Sequence, residues 1–391
     1  MRDLRARLEQ QRAQGLYRQR RCIEGPQGVE LMHAGRRLLS FCSNDYLGLA
    51  NEPRVVGAMR EGARRMGAGS GASHLVCGHG AMHQALEEAL AAWTGRERAL
   101  LFSTGYMANL GVLSALAARG DQIYADRLDH ASLLDGARLS GARLQRYPHG
   151  DAATLADWLE RSAPGERFIV TDGVFSMDGD LAPLDRLAAL ARDHAAWLVV
   201  DDAHGIGVIG ADGLGSLAHY RLQPADAPIL IGTLGKAFGT FGAFVAGSSE
   251  LVETLIQFAR SYIYTTALPP AVACATLEAL RIAREEPWRR ERLLTLGARL
   301  RAGLQSIGLP LAVDADASPA TPIIPLLTGS PERAVALSDA LMERGILATA
   351  IRPPTVPAGT SRLRITLSAA HEESHVDRLL DTLAEVTDVH H

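Results

Sequence analysis

The stretch WLVVDDAHG, Trp197–Gly205, decides the fold class. Four apolar residues are followed at once by two acids, and then by an alanine, a histidine and a glycine. Such a short apolar run, rich in β-branched residues and closed by polar ones, is typical of a strand buried on both faces. FIVTDGVFS (Phe168–Ser176) and PILIGTLGK (Pro228–Lys236) have the same form, and helical stretches separate the three. The alternation predicts a parallel sheet covered by helices on both faces.

The polar residues that close these strands are expected at one edge of the sheet. In open parallel sheets, ligands bind outside the carboxyl ends of the strands. The residues that close the three runs are Ser176, Asp201, His204, Thr233 and Lys236. Strand alternation turns either Asp201 or Asp202 toward this edge and the other toward the core, but spacing alone does not say which.

Lys236 is the only charged residue in the glycine-rich apolar run Leu230–Gly247. Burying an unpaired ammonium costs several kcal/mol or lowers its pKa. Either Lys236 reaches solvent from a loop, or it is held beside a carbonyl with which it forms an imine. Imine chemistry with pyridoxal phosphate also needs a carboxylate at the pyridine nitrogen, and the acid pair of VVDDAHG can supply one.

A phosphate site is predicted in FSTGYMANLG, Phe102–Gly111, where a strand leads into a helix. The free N–H groups and the dipole of a helix N-terminus suit a dianion, and Gly105 allows close approach of the backbone. An ordinary Ser/Thr helix cap is the alternative interpretation. His130 precedes another helix and is either a structural histidine or an imidazole stacked on an aromatic ligand.

Composition excludes several function classes. The 391 residues are 47% hydrophobic and 21% charged, with a net charge of −4, as in an ordinary globular protein without nucleic-acid or membrane partners. The first 21 residues are charged throughout and predict an amphipathic helix with a basic end, not a signal peptide or anchor. Four scattered cysteines lack metal-ligand spacing, so we expect no metal site, reduced thiols and a cytoplasmic location.

Two glycine-containing motifs resemble nucleotide-binding patterns, but the residues that follow them do not match those patterns. GIGVIG, Gly205–Gly210, satisfies the dinucleotide pattern but is followed by the loop sequence ADGLGS, not by a helix. GTLGKAFG lacks the Ser/Thr that follows the lysine of a P-loop. The interpretation of the chain as a nicotinamide-dependent oxidoreductase is therefore supported by GIGVIG alone. GAGSGASHLVCGHG, Gly67–Gly80, is typical of a flexible loop or of backbone packed against a ligand.

The chain is predicted to have three parts. Residues 1–45 form an N-terminal arm and helix, residues 46–285 a large cofactor-binding domain, and residues 286–391 a small C-terminal domain. The last part is assigned as α+β because strand-like runs such as TPIIPLLTG and SRLRITLSAAH alternate there with helical patterns.

Several motifs together resemble the α-oxoamine synthases. They occur in the family's order from Asn44 to the C-terminus: SNDYLGLA, GSGASHLVCG, TDGVFSMDGDLAPL, VDDAHGIGVIG, GTLGKAFG and SRLRITLSAAH. The resemblance implies a pyridoxal-phosphate enzyme of the aspartate-aminotransferase fold (fold type I), with a large, mostly parallel sheet and a smaller α+β domain. It also implies a homodimer. Ala72 departs from the family, whose members often have a second glycine there.

The resemblance implies the following cofactor contacts. Lys236 would bond the cofactor aldehyde and later move the substrate Cα proton, and Asp201 would pair with the pyridinium nitrogen. His204 would contact the ring hydroxyl, and His130 would stack over the ring. Further support for the cofactor or its phosphate would come from Ser176, Gly105, Tyr106 and Thr233.

The same resemblance implies substrate contacts. Arg364 would bind the amino-acid carboxylate, whereas Thr355 and Arg18 would contact the acyl substrate; Arg20 and Arg21 are alternatives to Arg18. AIRPPTVPAGTSRLRIT, Ala350–Thr366, is most similar to members that condense L-alanine with a pimeloyl thioester of coenzyme A or acyl carrier protein. Sister synthases that use glycine and another acyl-CoA are the alternative. An inactive cofactor-binding module is disfavoured, because it would not need to keep the lysine.

Overall fold

The computed structural model describes residues 3–14, 16–311 and 321–388. The strands are β1 (Glu30–His33), β2 (Arg36–Ser40), β3 (Arg98–Phe102), β4 (Gln122–Asp126), β5 (Arg143–Tyr147), β6 (Arg167–Asp172), β7 (Trp197–Asp201), β8 (Ile229–Thr233), β9 (Ala243–Gly247), β10 (Ile323–Gly329), β11 (Ile346–Leu347), β12 (Thr349–Ile351) and β13 (Ser361–Thr366). The helices are α1 (Leu4–Ala13), α2 (Pro53–Met66), α3 (Ala81–Thr94), α4 (Gly105–Leu116), α5 (Ala131–Ser140), α6 (Ala152–Glu160), α7 (Leu184–Asp193), α8 (Gly215–His219), α9 (Ser249–Phe258), α10 (Arg260–Ile263), α11 (Pro270–Glu285), α12 (Trp288–Ser306), α13 (Pro331–Glu343) and α14 (Glu373–Asp388).

The largest sheet confirms the predicted mostly parallel α/β architecture. Its seven strands run in the order β3-β9-β8-β7-β6-β4-β5, and β8, β7, β6, β4 and β5 are parallel. Neighbouring residues of β7 point to opposite faces: Val199 packs in one apolar cluster, whereas Leu198 and Val200 pack in another. Both faces are therefore buried, which explains why the strand sequences are continuously apolar.

The sheet includes an antiparallel strand, and one of its strands ends earlier than the sequence predicts. β9 is antiparallel to both of its neighbours, β3 and β8, and a hairpin loop connects it directly to β8. β6 ends at Asp172 and not at Ser176, since the chain turns back there and Val174 forms an antiparallel bridge with Leu181.

The C-terminal third forms two small sheets. β10, β13 and β12 make an antiparallel sheet, and β11 pairs in parallel with β2 of the N-terminal arm. β1 and β2 thus extend a sheet of the C-terminal part, and α11 gives way to α12 after Glu285. The three-part division 1–45, 46–285 and 286–391 stays a prediction.

The N-terminal arm differs from the predicted amphipathic helix with a basic end. α1 ends at Ala13, and none of its side chains is buried. Arg18, Arg20 and Arg21 lie in an exposed, non-helical segment. Without an apolar face packed on the core, little stabilises a longer helix. In the described residues, no helix combines the length and the apolar character needed to cross a membrane.

Candidate active site

The carboxyl ends of the central strands bring the predicted residues to one rim. β7 ends at Asp201, with His204 in the following turn, and β8 leads into the lysine loop, Leu234–Gly242. The Nζ of Lys236 lies 2.8 Å from Nε2 of His204. The lysine is thus half-buried in the rim and paired with a ring nitrogen, which favours the second of the two interpretations of its position.

Burial changes the protonation of both members of this pair. Desolvation lowers the pKa of Lys236 to about 8, although the charges of Asp201 and Asp172 oppose the change. The pKa of His204 is held well below its usual range, first by burial and then by the Lys236 charge. His204 is therefore a neutral acceptor for the Lys236 amine.

A buried tyrosine fixes the tautomer of His204. Nδ1 of His204 lies 2.7 Å from the hydroxyl of Tyr46, and that hydroxyl donates to Oδ1 of Asn44 at 3.1 Å. With its proton used on Asn44, Tyr46 accepts from Nδ1–H of His204. The free lone pair of the imidazole is then on Nε2, facing Lys236.

Arg364 lies at the other end of this hydrogen-bond chain. Its Nε donates to the carbonyl oxygen of Ser176 at 2.5 Å, and both terminal nitrogens donate to Oδ1 of Asn44 at 3.2 Å. Arg364 is only 8% exposed, yet within the described part of the chain it pairs with no carboxylate. By contrast, Arg362 on the same strand pairs with Asp178. A buried guanidinium that meets only neutral acceptors is suited to bind an anionic ligand.

A second network joins Asp201 to His130. Nδ2 of Asn109 donates to Oδ2 of Asp201 at 2.6 Å and to the hydroxyl of Ser132 at 2.8 Å. The Ser132 hydroxyl lies 2.6 Å from Nδ1 of His130, which also accepts from the Ser132 backbone N–H at the start of α5. The Asn109 amide therefore positions Asp201 directly and His130 through Ser132. Burial lowers the pKa of His130.

The two neighbouring aspartates differ in surroundings. Asp201 accepts from Asn109 and from the backbone N–H of Ala203, in the rim that contains Lys236. Asp202 is fully buried against the start of α8, where it accepts from the backbone N–H of Ser216 at 2.8 Å, and burial raises its pKa to about 7. Asp201 is therefore the aspartate of this pair that lies beside the lysine.

The start of α4 has the features of a phosphate site. Thr104 caps the helix by accepting from the backbone N–H of Met107 at 3.2 Å. A Cβ added at Gly105 would meet no atom within 4 Å, so there is open space in front of this helix terminus. The Tyr106 hydroxyl donates to Asp135 at 2.5 Å. Thr233, expected near the phosphate, donates its hydroxyl to the carbonyl of Gly242 at 3.1 Å.

Together these groups fit pyridoxal 5'-phosphate. The phosphate dianion of this cofactor needs a helix N-terminus. Its pyridine nitrogen needs a carboxylate, and its aldehyde needs an amine. The residues that offer them are Gly105 at the start of α4, Asp201 and Lys236.

A cavity of about 590 Å³ opens beside His130. We call it the His130 cavity; its lining includes Ser176 and Thr355, two further predicted site residues. Its volume is within the range of small-molecule sites. Arg18 is not among its lining residues, and the exposed segment around Arg18 is not brought to the rim by a described hydrogen bond or ion pair.

Sequence reasoning missed three residues of the site. Asn44 and Tyr46 lie in the loop sequence SNDYLGLA, and their partners His204 and Arg364 are far away along the chain. Asn109 lies inside α4, where it reads as an ordinary helical position. A signal exists for Asn109, an amide in an otherwise apolar stretch, which needs a partner when buried. Asn44 lies between Ser43 and Asp45, so its polar neighbours give no such signal.

Comparison with protein families agrees with this geometry. A model of the aminotransferase class I and II family matches residues 36–383. The 8-amino-7-oxononanoate synthase of Pseudomonas putida (strain GB-1) is 61% identical over 383 residues, which are 98% of this chain and 97% of that protein. The enzyme of the same name from Stutzerimonas stutzeri (strain A1501) is also 61% identical, over 98% of this chain and 96% of that protein.

Solved structures give the same result. A serine palmitoyltransferase of S. paucimobilis with bound PLP–myriocin aldimine has a TM-score of 0.91 and 29% identity, over 98% of this chain and 96% of that chain. The 8-amino-7-oxononanoate synthase of Francisella tularensis has a TM-score of 0.79 and 32% identity, over 90% of this chain and 98% of that chain. The chain therefore belongs to the class I and II aminotransferase family, among its pyridoxal-phosphate-dependent 8-amino-7-oxononanoate synthases.

Proposed function

We propose that the chain condenses L-alanine with a pimeloyl thioester, of coenzyme A or acyl carrier protein, and releases 8-amino-7-oxononanoate, carbon dioxide and the free thiol. This is the acyltransferase step of biotin biosynthesis. The new carbon–carbon bond joins the alanine Cα to the thioester carbonyl, the thiolate leaves, and the alanine carboxylate departs as carbon dioxide. Pyridoxal 5'-phosphate, when bound, supplies an electron sink for negative charge at the alanine Cα.

One observation supports the proposal that the site binds an amino acid. Arg364 is buried, and within the described residues it pairs with no carboxylate. A planar guanidinium binds a carboxylate through two parallel hydrogen bonds. Asn44 now accepts from both terminal nitrogens of Arg364, so a substrate carboxylate would take its place or join it. Ser176 holds the third nitrogen, which fixes the orientation of the fork.

Lys236 is the proposed proton carrier at the alanine Cα. A pKa of about 8 leaves part of the amine neutral near neutral pH, which is the form that takes a proton. Neutral His204 orients the amine through its Nε2 lone pair. Asp201 supports a positive charge at the pyridine nitrogen, while the start of α4, with Gly105 and Tyr106, receives the phosphate.

The remaining proposed contacts involve the cofactor ring and the acyl group. His130, held by Ser132, forms a wall over the ring. Ser176 supports the cofactor and Thr233 lies near its phosphate. Thr355, which lines the His130 cavity, contacts the acyl chain, with Arg18 as a further contact from the N-terminal arm.

We also propose that the chain acts as a cytoplasmic homodimer, with an N-terminal arm 1–45, a cofactor domain 46–285 and a small domain 286–391. All four cysteines are unpaired, which is usual in a reducing compartment. The pairing of β2 with β11 supports an arm that joins the small domain.

The reaction is tested with purified holoenzyme, L-alanine and pimeloyl-CoA, with mass spectrometry of the product. We expect 8-amino-7-oxononanoate from the natural sequence and none from Lys236→Ala, although that variant should still fold and bind the cofactor non-covalently. Arg364→Ala should raise the KM for L-alanine by at least about tenfold, because a hydrogen bond to a charged group is lost. Efficient use of glycine with acetyl- or succinyl-CoA, and no reaction of alanine with pimeloyl thioesters, would contradict the proposal.

A further inference from the structure

Two arginines of the His130 cavity have no counter-charge. Arg127 follows β4 and Arg146 lies near the end of β5, the strand next to it, and both line the cavity. A guanidinium nitrogen of Arg146 donates to the backbone carbonyl of Arg127, so the two residues are neighbours. In the described part of the chain, neither side chain takes part in an ion pair.

The acids that line the same cavity do not supply the missing charge. Asp178 is already paired with Arg362. Asp129 is buried and accepts from the backbone N–H groups of Asp126 and Asp172, and burial raises its pKa well above the usual range. The mouth of the cavity around the two arginines therefore carries a net positive charge.

The rest of the lining is largely apolar. Leu134, Phe175, Met177 and Val356 contribute side chains that can pack against methylene groups. His130 and Ser176 connect this wall to the rim that contains Lys236. An apolar wall with two unpaired guanidinium groups suits a ligand that combines an aliphatic chain with an anionic group.

We propose that Arg127 and Arg146 form an anion-recognition site for the acyl thioester in the His130 cavity. The inference rests on the proposed function and adds the residues that bind the anionic group of the acyl donor. The anion is a carboxylate at the far end of the chain or a phosphate of the carrier, since a guanidinium binds both through the same fork. Arg18, predicted from sequence for this role, lies outside the cavity lining.

Binding is measured by calorimetry on the holoenzyme with four stable thioether analogues. Two have a seven-carbon chain ending in a carboxylate and two have the same chain ending in a methyl group; one of each is attached to coenzyme A and the other to N-acetylcysteamine. The variants are Arg127→Gln and Arg146→Gln. Arg143→Gln is the matched control, because Arg143 is an exposed residue on the same strand, β5, outside the cavity lining.

Each cavity variant should weaken binding of the charged ligands by about two- to fivefold, since an exposed ion pair contributes little to the binding free energy. Loss confined to the carboxylate-ended pair assigns the site to the acyl end, and loss confined to the coenzyme A pair assigns it to the carrier phosphates. Equal loss for all four ligands, no loss, or the same loss in Arg143→Gln would overturn the inference. Turnover is not needed for this titration, so an enzyme that fails to condense alanine but shows the charge-dependent loss would contradict only the proposed function.

Discussion

Lys236 is the single lysine among the 40 lysine and arginine residues of the sequence. The other 39 are arginines, which stay protonated and do not form an imine under ordinary conditions. Side-chain amine chemistry in this chain is therefore confined to one atom, the Nζ that lies 2.8 Å from His204. A cofactor with an aldehyde group can form an imine with this one lysine. Amine-selective reagents can also report on Lys236 without background from other lysines.

The depressed pKa of Lys236 gives a testable pH dependence. The neutral amine is the nucleophile, so labelling of cofactor-free enzyme by an amine-selective reagent should rise with pH and level off above a midpoint of about 8. The measurement is mass spectrometry of the peptide that contains Lys236, after short exposures across the pH range. A midpoint near the usual lysine value of about 10.4 would mean that burial does not perturb the amine.

The neighbouring aspartates give a matched pair of variants. Asp201→Asn should keep the fold and lower kcat by about a hundredfold or more. The neutral amide would not stabilise the positive charge at the pyridine nitrogen of the cofactor as the carboxylate does. Asp202→Asn should leave kcat near that of the natural sequence and lower the melting temperature, because an NH2 donor would replace one of the two buried carboxylate oxygens, of which Oδ2 accepts from Ser216. The reverse pattern in steady-state kinetics and thermal melting would show that the wrong aspartate had been chosen.

At the scale of elements, the lysine loop is positioned by its hairpin and by the segment it packs against. Leu234 and Gly242 close the hairpin between β8 and β9, with the Leu234 N–H donating to the Gly242 carbonyl at 2.9 Å. Gly239 has φ +64°, and a Cβ there would lie 2.2 Å from the backbone nitrogen of Ala50. The glycine therefore allows the loop to lie directly on the chain that follows Tyr46, the partner of His204.

Gly239→Ala should disturb the lysine loop. The substitution introduces both an unfavourable φ and a clash with backbone atoms, so we expect a loss of about 2 kcal/mol or more in stability. The matched control is Gly235→Ala in the same loop, where the nearest atom to an added Cβ is 3.6 Å away and φ is not positive. Thermal melting of both cofactor-free variants tests this; equal melting temperatures would contradict the packing argument.

Sequence reasoning succeeded for elements whose pattern is local. β7 and β8 end where WLVVDDAHG and PILIGTLGK predict, since short apolar runs closed by turns mark buried strands. It could not find the direction of β9, because a strand buried on both faces has the same composition whether parallel or antiparallel. Nor could it assign Tyr46, whose role depends on a hydrogen bond across 158 positions of the chain.

At the scale of the whole molecule, the proposed homodimer needs an interface. The π-helical turn His74–Gly78 exposes Leu75 and Val76, at 51% and 76%. An antiparallel bridge between Ser73 and Thr266 brings this turn beside Tyr264, whose side chain is 71% exposed. Apolar and aromatic side chains grouped in this way are enriched at the core of protein interfaces.

Val76→Asp should therefore weaken the dimer without affecting the fold of each chain. A carboxylate placed in an apolar interface loses its hydration, so we expect the dimer dissociation constant to rise by at least about tenfold. Sedimentation equilibrium should give twice the chain mass of 41.8 kDa for the natural sequence and a concentration-dependent lower mass for the variant. Leu294→Asp on α12 is the control, because Leu294 is similarly exposed, at 50%, on a different element. A monomeric natural protein would contradict the homodimer, whereas a dimer unaffected by Val76→Asp would place the interface elsewhere.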